Sequence, residues 1–387
     1  MKNNFKWLLF ASVAIVACSD EVEEKIVEAP ITAGSANFAT YVALGNSLTA
    51  GFSDNALFIK GQENSFPNIL AAEFAKAGGG DFKIPFMADN LGGFQSGGVQ
   101  VPGFGTRLFF NGSGPQNVPG VPTTDITASI AAQGPYNNMG VPGAKSFHLA
   151  FPGYGTLNPY FGRFASSATA TVLGDAMAQN PTFFSLWIGN NDVLGFATSG
   201  GDGSNPITDQ ATFDQAYNSI VNTLVSGGAK GVIANIPNVT SIPFFTTVPH
   251  NPITALSLGR GLVPNGTQAQ QIAAGTAAIN SLNTSLLGPL QQILSLFGQG
   301  DRIVLYDASS NNPLLIVDED LTNLSAQITA AAQASGVPQL IALAPFLGQV
   351  YGQARHAKTT DLVCLPTSSV IGTSAGSPVP DLNSFGI

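Results

Sequence analysis

Charged side chains are scarce in this 387-residue chain, and basic ones are scarcer than acidic ones. Only 10% of the residues are charged, whereas globular domains usually carry about 25%. Lys and Arg number 14 against 23 Asp and Glu, which gives a formal net charge of -9. A protein that binds nucleic acid needs a basic face to neutralise phosphates. We therefore expect no nucleic-acid partner.

Cysteine and histidine are also rare. The chain has two cysteines, Cys18 and Cys364, and three histidines. The sequence shows no zinc-type ligand cluster and no internal repeat. Cys364 stands in an apolar, strand-like segment, which predicts a buried thiol. We expect neither a metal nor an organic cofactor.

The N-terminal apolar run, Trp7–Ala17, is too short to span a bilayer comfortably. Basic residues precede it, and it ends in Ile15-Val16-Ala17-Cys18. This segment resembles a bacterial lipoprotein signal, with residues 1–17 removed and Cys18 lipidated. An ordinary signal peptide or membrane anchor is the alternative. If Cys18 carries lipid, it cannot form a disulfide with Cys364.

Residues 18–36 read as an acidic tether. Ser19, rather than Asp, follows Cys18, which in the common sorting pattern indicates the outer membrane. The acidic run Asp20–Glu24 resembles the export tag of some surface lipoproteins, and a plain solvated tether is the alternative. We expect an outer-membrane lipoprotein held by its lipid anchor, facing either the periplasm or the exterior.

Ser47 is the first candidate for chemistry. The apolar, strand-like run Tyr41–Leu44 ends at Gly45, and Ser47 is followed by small residues that can open a helix. A serine at the end of a strand has amide donors around it and open space in front of it, as a nucleophile needs. The alternative is an ordinary turn or N-cap residue.

Two later segments repeat this pattern of an apolar run that breaks at a glycine. One contains Gly143, and the other reads Gly189-Asn190-Asn191-Asp192. Together with Gly45-Asn46-Ser47-Leu48, they resemble three of the four signature blocks of the SGNH (GDSL-type) ester hydrolases. In the first block, Asn46 stands where the commonest version has Asp. The resemblance covers residues 38 to about 200.

The resemblance implies a role for each matched residue. Ser47 is the expected nucleophile that attacks an ester carbonyl. The backbone N–H groups of Ser47 and Gly143 and the side-chain amide of Asn191 are the expected oxyanion hole. Each such donor is worth about 3–4 kcal/mol in comparable sites. The implied fold is a three-layer α/β sandwich with a mainly parallel sheet.

The family's general base is missing from the sequence. The family places it in a C-terminal Asp-x-x-His block, and no Asp here is followed by His at that spacing. We weigh two explanations: the chain is incomplete, or the protein has lost its base. His148 and His356 are expected on helical segments, in structural or solvated roles. His250, between two prolines, is the weak candidate for a substitute base.

The remaining pattern predicts alternating strands and helices, and hence a mainly parallel sheet with helices on both faces. We interpret 37–387 as one hydrolase-like domain with insertions at about 88–135 and 250–300. Predicted helices cover 65–76, 210–226 and, as one or two helices, 266–298. Predicted strands cover 182–188, 230–236, 302–306, 314–317 and 360–366. A hairpin is predicted around 107–112, inside an insertion over the site.

These observations predict a serine esterase or lipase that acts on carboxylic esters. A short acyl ester on a glycan fits a surface enzyme, and a lipid ester fits the Phe-rich insertion equally well. The rival is an inactive surface lipoprotein that binds a glycan or lipid in the retained pocket. A structural lipoprotein with an accidental resemblance is the third interpretation.

Overall fold

The computed structural model describes residues 31–112, 114–201 and 203–371. The predictions for the signal segment 1–17, for Cys18 and for most of the tether 18–36 lie outside these residues. The described chain divides into two compact units. The first comprises the residues up to Pro142, Leu149–Leu186 and Ser219–Ile233; the second comprises Gly143–His148, Trp187–Asn218 and the residues from Ala234 onward. No helix in the described part is long and apolar enough to cross a membrane.

The strands in the described residues are short. They are β1 Tyr41–Gly45, β2 Gln95–Ser96, β3 Val99–Gln100, β4 Leu108–Phe110, β5 Pro115–Asn117, β6 Asn138–Gly140, β7 Phe183–Trp187, β8 Lys230–Ile233, β9 Leu315–Val317 and β10 Ala354–His356.

The α-helices are α1 Ser47–Ala50, α2 Ile59–Glu63, α3 Phe66–Lys76, α4 Pro159–Gly162, α5 Val172–Met177, α6 Asn190–Thr198, α7 Gln210–Ser226, α8 Pro243–Thr246, α9 Ala255–Leu262, α10 Gln268–Leu282, α11 Gly288–Ser295, α12 Ser325–Ala334 and α13 Pro338–Tyr351. Short 3-10 helices cover Ala131–Gln133, Ser146–Ala150, Tyr154–Thr156, Val239–Ser241, Gly300–Arg302 and Leu365–Ser369.

The first unit is built on a four-stranded parallel sheet in the order β6-β1-β7-β8. All five residues of β1 are buried, as expected for an interior strand of a parallel sheet. Phe38, Tyr41, Phe74 and Phe183 pack their rings together beside this strand. Because the strands are parallel, their carboxyl ends share one edge, where Gly45 and Gly140 face each other in register. This sheet confirms the α/β class that the sequence predicts.

The insertion at 88–135 contains two short antiparallel hairpins, β2–β3 and β4–β5. The predicted hairpin around 107–112 is confirmed as β4–β5. Phe94 and Phe104 of the insertion contact the ring of Tyr160, which also contacts Phe52. The Leu108 N–H donates to the Asp54 carbonyl at 2.7 Å. The insertion is therefore fixed to the residues that directly follow α1.

The second unit is mainly helical. Helices α9 and α10 pack together, as do α12 and α13, and β9 pairs with β10. The prediction of one or two helices over 266–298 is confirmed as α10 and α11, joined by a π-helical turn at Asn283–Leu287. The predicted strand at 314–317 is present as β9. The predicted helix at 210–226 is present as α7, whose residues up to Asn218 belong to the second unit and the rest to the first.

Two predicted strands of the second unit are wrong. The run 302–306 forms no strand, because side chains take its backbone donors: Val304 N–H bonds His356 Nδ1, and Tyr306 N–H bonds Asn283 Oδ1. In the run 360–366, only Val363 forms a β-bridge, and a 3-10 helix begins at Leu365. The backbone of an apolar run can therefore form its hydrogen bonds with side chains instead of with a neighbouring strand.

Candidate active site

Ser47 is the first residue of α1, directly after β1 and Asn46. The buried Asn46 caps this helix: its side-chain oxygen accepts the Leu48 N–H at 3.1 Å. Gly51, with φ +83°, ends the helix, and its N–H donates to the Ser47 carbonyl. Ser47 is half-buried. The sequence predicts this strand–serine–helix arrangement, and the catalytic role of Ser47 stays a prediction.

Two residues of β6 hold α1 in place. The buried Asn138 donates from Nδ2 to the Thr49 carbonyl and accepts the Gly140 N–H at Oδ1, both at 3.0 Å. A Cβ atom on Gly140 would lie 2.3 Å from the Ala50 backbone nitrogen, so only glycine allows α1 to pack this closely. Sequence reasoning assigned no role to either residue.

Replacing Gly140 with alanine is expected to lower the free energy of unfolding by about 1–3 kcal/mol, the usual cost of overpacking. The added methyl meets backbone atoms of α1, which cannot rotate away as a side chain can. Urea unfolding measures the change. Gly227→Ala is the matched control, because a Cβ atom added there would have no other atom within 4 Å, and we expect a change within about 0.5 kcal/mol. Equal stability of the two variants would contradict the close packing of α1 on β6.

Gly143 and Asn191 lie together in the second unit, whereas Ser47 lies in the first. The Asn191 Nδ2 amide donates to the carbonyl of Ala144, next to Gly143, at 2.9 Å. Gly143 is exposed and has φ +82°, a backbone conformation that favours glycine. An amide nitrogen carries two N–H bonds, so this contact leaves one N–H of Asn191 for a ligand.

Asp192 fixes the segment that contains Gly143. Its buried carboxylate accepts the Ser146 N–H at 2.8 Å and the Ser146 hydroxyl at 2.7 Å. Gly189, with φ +109°, precedes α6 in a backbone conformation that favours glycine, and a Cβ there would meet the end of the Ile236 side chain at 2.4 Å. Asn191 and Asp192 therefore bind the same segment, at Ala144 and Ser146. The sequence motif did not reveal this structural use of the carboxylate.

Two histidines are held as hydrogen-bond acceptors. His148 Nδ1 accepts the Lys145 N–H at 3.0 Å, and His356 Nδ1 accepts the Val304 N–H at 2.8 Å. Each neutral imidazole therefore carries its proton on Nε2. A general base oriented by a carboxylate has the reverse arrangement, with the proton on Nδ1. Neither ring is arranged as the base of a Ser-His-Asp triad.

Burial also disfavours the charged forms of these two rings. It lowers the pKa of His148, and the Asp192 carboxylate offsets part of that effect. It lowers the pKa of His356 to about 4. The prediction that His356 lies on a helical segment is wrong, because His356 ends β10 and is only 6% exposed.

His250, the weak candidate for the base, is half-buried in the segment before α9. Its carbonyl accepts the Leu314 N–H at 2.9 Å. Within the described part of the chain, no carboxylate bonds its imidazole. The orienting group that a histidine base needs is therefore not found at His250 among these residues, and its role stays a prediction.

An apolar groove of about 570 Å³ runs along one face of α6 in the second unit. Its walls include Val193, Phe196, Phe245, Leu362 and Cys364. The sequence predicts a buried strand thiol at Cys364; instead, the residue is half-exposed and precedes a 3-10 helix. Its partial burial raises the pKa of the thiol. Sequence reasoning missed this groove, since its walls come from three separate segments.

The fold and the geometry define an α/β protein with a serine at the carboxyl edge of a parallel sheet. Comparison with models of known protein families, with curated proteins and with solved structures finds no match for this chain. The resemblance to the SGNH hydrolases therefore rests on the motif residues and on the sheet that positions Ser47.

Proposed function

We propose that the protein is a serine ester hydrolase of the SGNH type, which acts on carboxylic esters through an acyl-Ser47 intermediate. The observation that carries the proposal is the position of Ser47 at the first residue of α1, after the fully buried β1. The proposal includes a three-layer α/β sandwich and an outer-membrane lipid anchor at Cys18. The acyl group comes from a glycan ester or a lipid ester.

The proposed reaction has two steps. Ser47 Oγ forms a bond to the ester carbonyl carbon, its proton passes to water or hydroxide, and the alcohol leaves with a proton from solvent. Water then attacks the acyl-serine, releases the carboxylic acid and restores the hydroxyl. No metal and no organic cofactor takes part in the proposed steps.

Backbone and amide donors stabilise the oxyanion in this proposal. The N–H of the first residue of a helix has no partner within the helix, so the Ser47 N–H is a suitable donor. The resemblance assigns the same role to the Gly143 N–H and to the second N–H of Asn191. Donors that are already fixed stabilise the developing charge without reorganisation, and Asp192 and Ser146 fix the segment that carries Gly143.

The histidine geometry predicts an unusual pH profile. The part of aryl acetate hydrolysis that depends on Ser47 is expected to rise steadily from pH 6 to 9, with no inflection near pH 6.5. The reason is that His148 and His356 offer no imidazole base arranged for Ser47, so hydroxide removes the proton. Initial rates of wild type minus Ser47→Ala at each pH measure this component.

His250→Gln is the control for that profile. If His250 is the base, the wild-type curve has an inflection that this variant removes, and the hydroxide mechanism is then wrong. If both proteins follow the same rising line, His250 is not the base. Because Ser47→Ala is subtracted, alkaline hydrolysis of the reagent does not enter the comparison.

The second candidate is a surface protein that binds a lipid or glycan without turnover. Two observations favour it: the acceptor role of His148 and His356 at Nδ1, and the apolar groove along α6. Retained ligand binding together with no turnover that depends on Ser47 would support this candidate. Turnover that disappears in Ser47→Ala would support the esterase.

A further inference from the structure

The hairpin β4–β5 presents aromatic side chains to solvent. Phe110 is 71% exposed and Phe109 is 39% exposed. Neighbouring residues of a strand point to opposite faces, so both faces of this two-stranded ribbon are uncovered. All of β5 is exposed as well. Two adjacent exposed phenylalanines need a physical explanation.

Hydrogen bonds between its two arms close the base of the hairpin, and β4 is also bonded to the segment that follows α1. The Thr106 hydroxyl donates to the Val118 carbonyl at 2.7 Å, and Asn117 Nδ2 donates to the Thr106 carbonyl at 2.5 Å. The Leu108 N–H donates to Asp54. The exposed phenylalanines therefore belong to a hairpin whose base is held by hydrogen bonds.

The polar groups near the hairpin end are bonded within the hairpin. Asn111 Nδ2 donates to Gln116 Oε1 at 2.9 Å, and Asn111 Oδ1 accepts the Gly114 N–H at 3.0 Å. The Asn111 N–H donates to the Gly114 carbonyl. Such internal pairing lowers the cost of moving these groups out of water into an apolar medium.

Charge is almost absent from the whole surrounding segment. Between Asn90 and Thr124, Arg107 is the only charged residue, although about a quarter of the residues of a globular domain are usually charged. Arg107 lies before β4, with its guanidinium 3.9 Å from the Asp54 carboxylate. Two further apolar side chains of this segment, Val99 and Val121, are 70% and 49% exposed.

We propose that the hairpin β4–β5 docks on a lipid surface, with Phe109 and Phe110 at the boundary between headgroups and acyl chains. Phenylalanine is among the side chains that surface-bound proteins bury at that boundary, and such a shallow apolar insertion needs no spanning helix. The net charge of -9 and the nearly uncharged hairpin exclude electrostatic attraction as the driving force. Binding is therefore expected on zwitterionic lipid and independent of salt. This surface goes beyond the proposed esterase and does not depend on it.

A tryptophan placed on the hairpin tests the proposal. The chain without the signal segment 1–17 and with Cys18→Ser, so that neither an apolar leader nor a lipid is attached, receives Phe110→Trp and is mixed with phosphatidylcholine vesicles that contain brominated acyl chains. We expect the emission of the new indole to shift to the blue and to be quenched. The parent spectrum, which contains the native Trp187, is subtracted.

Val317→Trp in the same background is the matched control, because Val317 is 65% exposed in the second unit and precedes the acidic residues Asp318, Glu319 and Asp320. Its indole is expected to stay unquenched. Adding Phe109→Ser to Phe110→Trp is expected to weaken the vesicle affinity by on the order of tenfold, the loss of one partly buried phenylalanine. Circular dichroism checks that each variant keeps the fold.

Three results would overturn the proposal. The first is an absence of quenching at the hairpin, or equal quenching at the hairpin and at the control position. The second is self-association in sedimentation velocity that Phe109→Ser abolishes, since the occupant is then a second copy of this chain. The third is retention on a polysaccharide, but not on vesicles, that depends on Phe110. None of these measurements requires turnover, so a failure of the proposed esterase is seen separately.

Discussion

Ser47→Ala is expected to abolish the burst of nitrophenol that wild type releases from an aryl acetate. It is expected to lower the later turnover to the rate that substrate binding and the oxyanion donors alone provide. Ser47 lies at the start of α1 and is half-buried. Stopped-flow absorbance measures the burst, and intact-protein mass spectrometry detects one acetyl group on the wild-type chain.

The packing of α1 depends on Asn46, Asn138 and Gly140 rather than on the hydroxyl of Ser47. The variant should therefore keep the unfolding free energy of wild type, and this comparison is the control. If Ser47→Ala retains the burst, the acetylated nucleophile is another group and the esterase proposal in its present form is wrong. If neither protein shows a burst, the second candidate function, a surface protein that binds a lipid or glycan without turnover, is favoured.

Acidification from pH 6.5 to 4 is expected to reduce the free energy of unfolding by up to about 3 kcal/mol through His356 alone. Its pKa is about 4 in the folded protein and about 6.5 in an unfolded chain. Above pH 6.5 the ring is neutral in both the folded and the unfolded state, so the free energy of unfolding has its full value. Below that pH the unfolded state binds a proton before the folded state does, and the free energy of unfolding falls. Urea unfolding at several pH values measures the loss.

His356→Asn is the matched variant, because the Asn side-chain oxygen can accept the Val304 N–H in place of Nδ1. It loses the ring contact with Tyr306 and is therefore less stable at pH 7, but its stability should depend less on pH. Asp318 and Asp361, both paired with Arg355, titrate in both proteins, and their contribution cancels in the difference. Identical pH slopes for the two proteins would show that His356 does not titrate between pH 4 and 6.5.

The elements predicted correctly are those whose signal is local. The helix 210–226 and the strand before Ser47 follow from apolar spacing and from the glycine that ends the strand. The run 302–306 has the same kind of apolar pattern, but its hydrogen-bond partners, Asn283 and His356, lie far away in the sequence. No local pattern distinguishes a run that pairs with side chains from one that pairs with a strand.

The same limit applies to the candidate site. Ser47, Gly143 and Asn191 are each marked by a short motif, so the sequence places them at the ends of predicted elements. The support of α1 by Asn138 depends on a contact across 89 residues, which a motif does not encode. The groove along α6 likewise joins three distant segments.

Asn191 and Asp192 are neighbours in sequence, and both bind one segment, at Ala144 and Ser146. The consequence is evolutionary. Exchange of Ser146 for a residue without a hydroxyl leaves the buried Asp192 carboxylate with one hydrogen bond fewer, which costs free energy. Substitutions at positions 146 and 192 are therefore expected to be coupled in evolution. A change at both positions should be tolerated where a change at one of them destabilises the protein and is lost by selection.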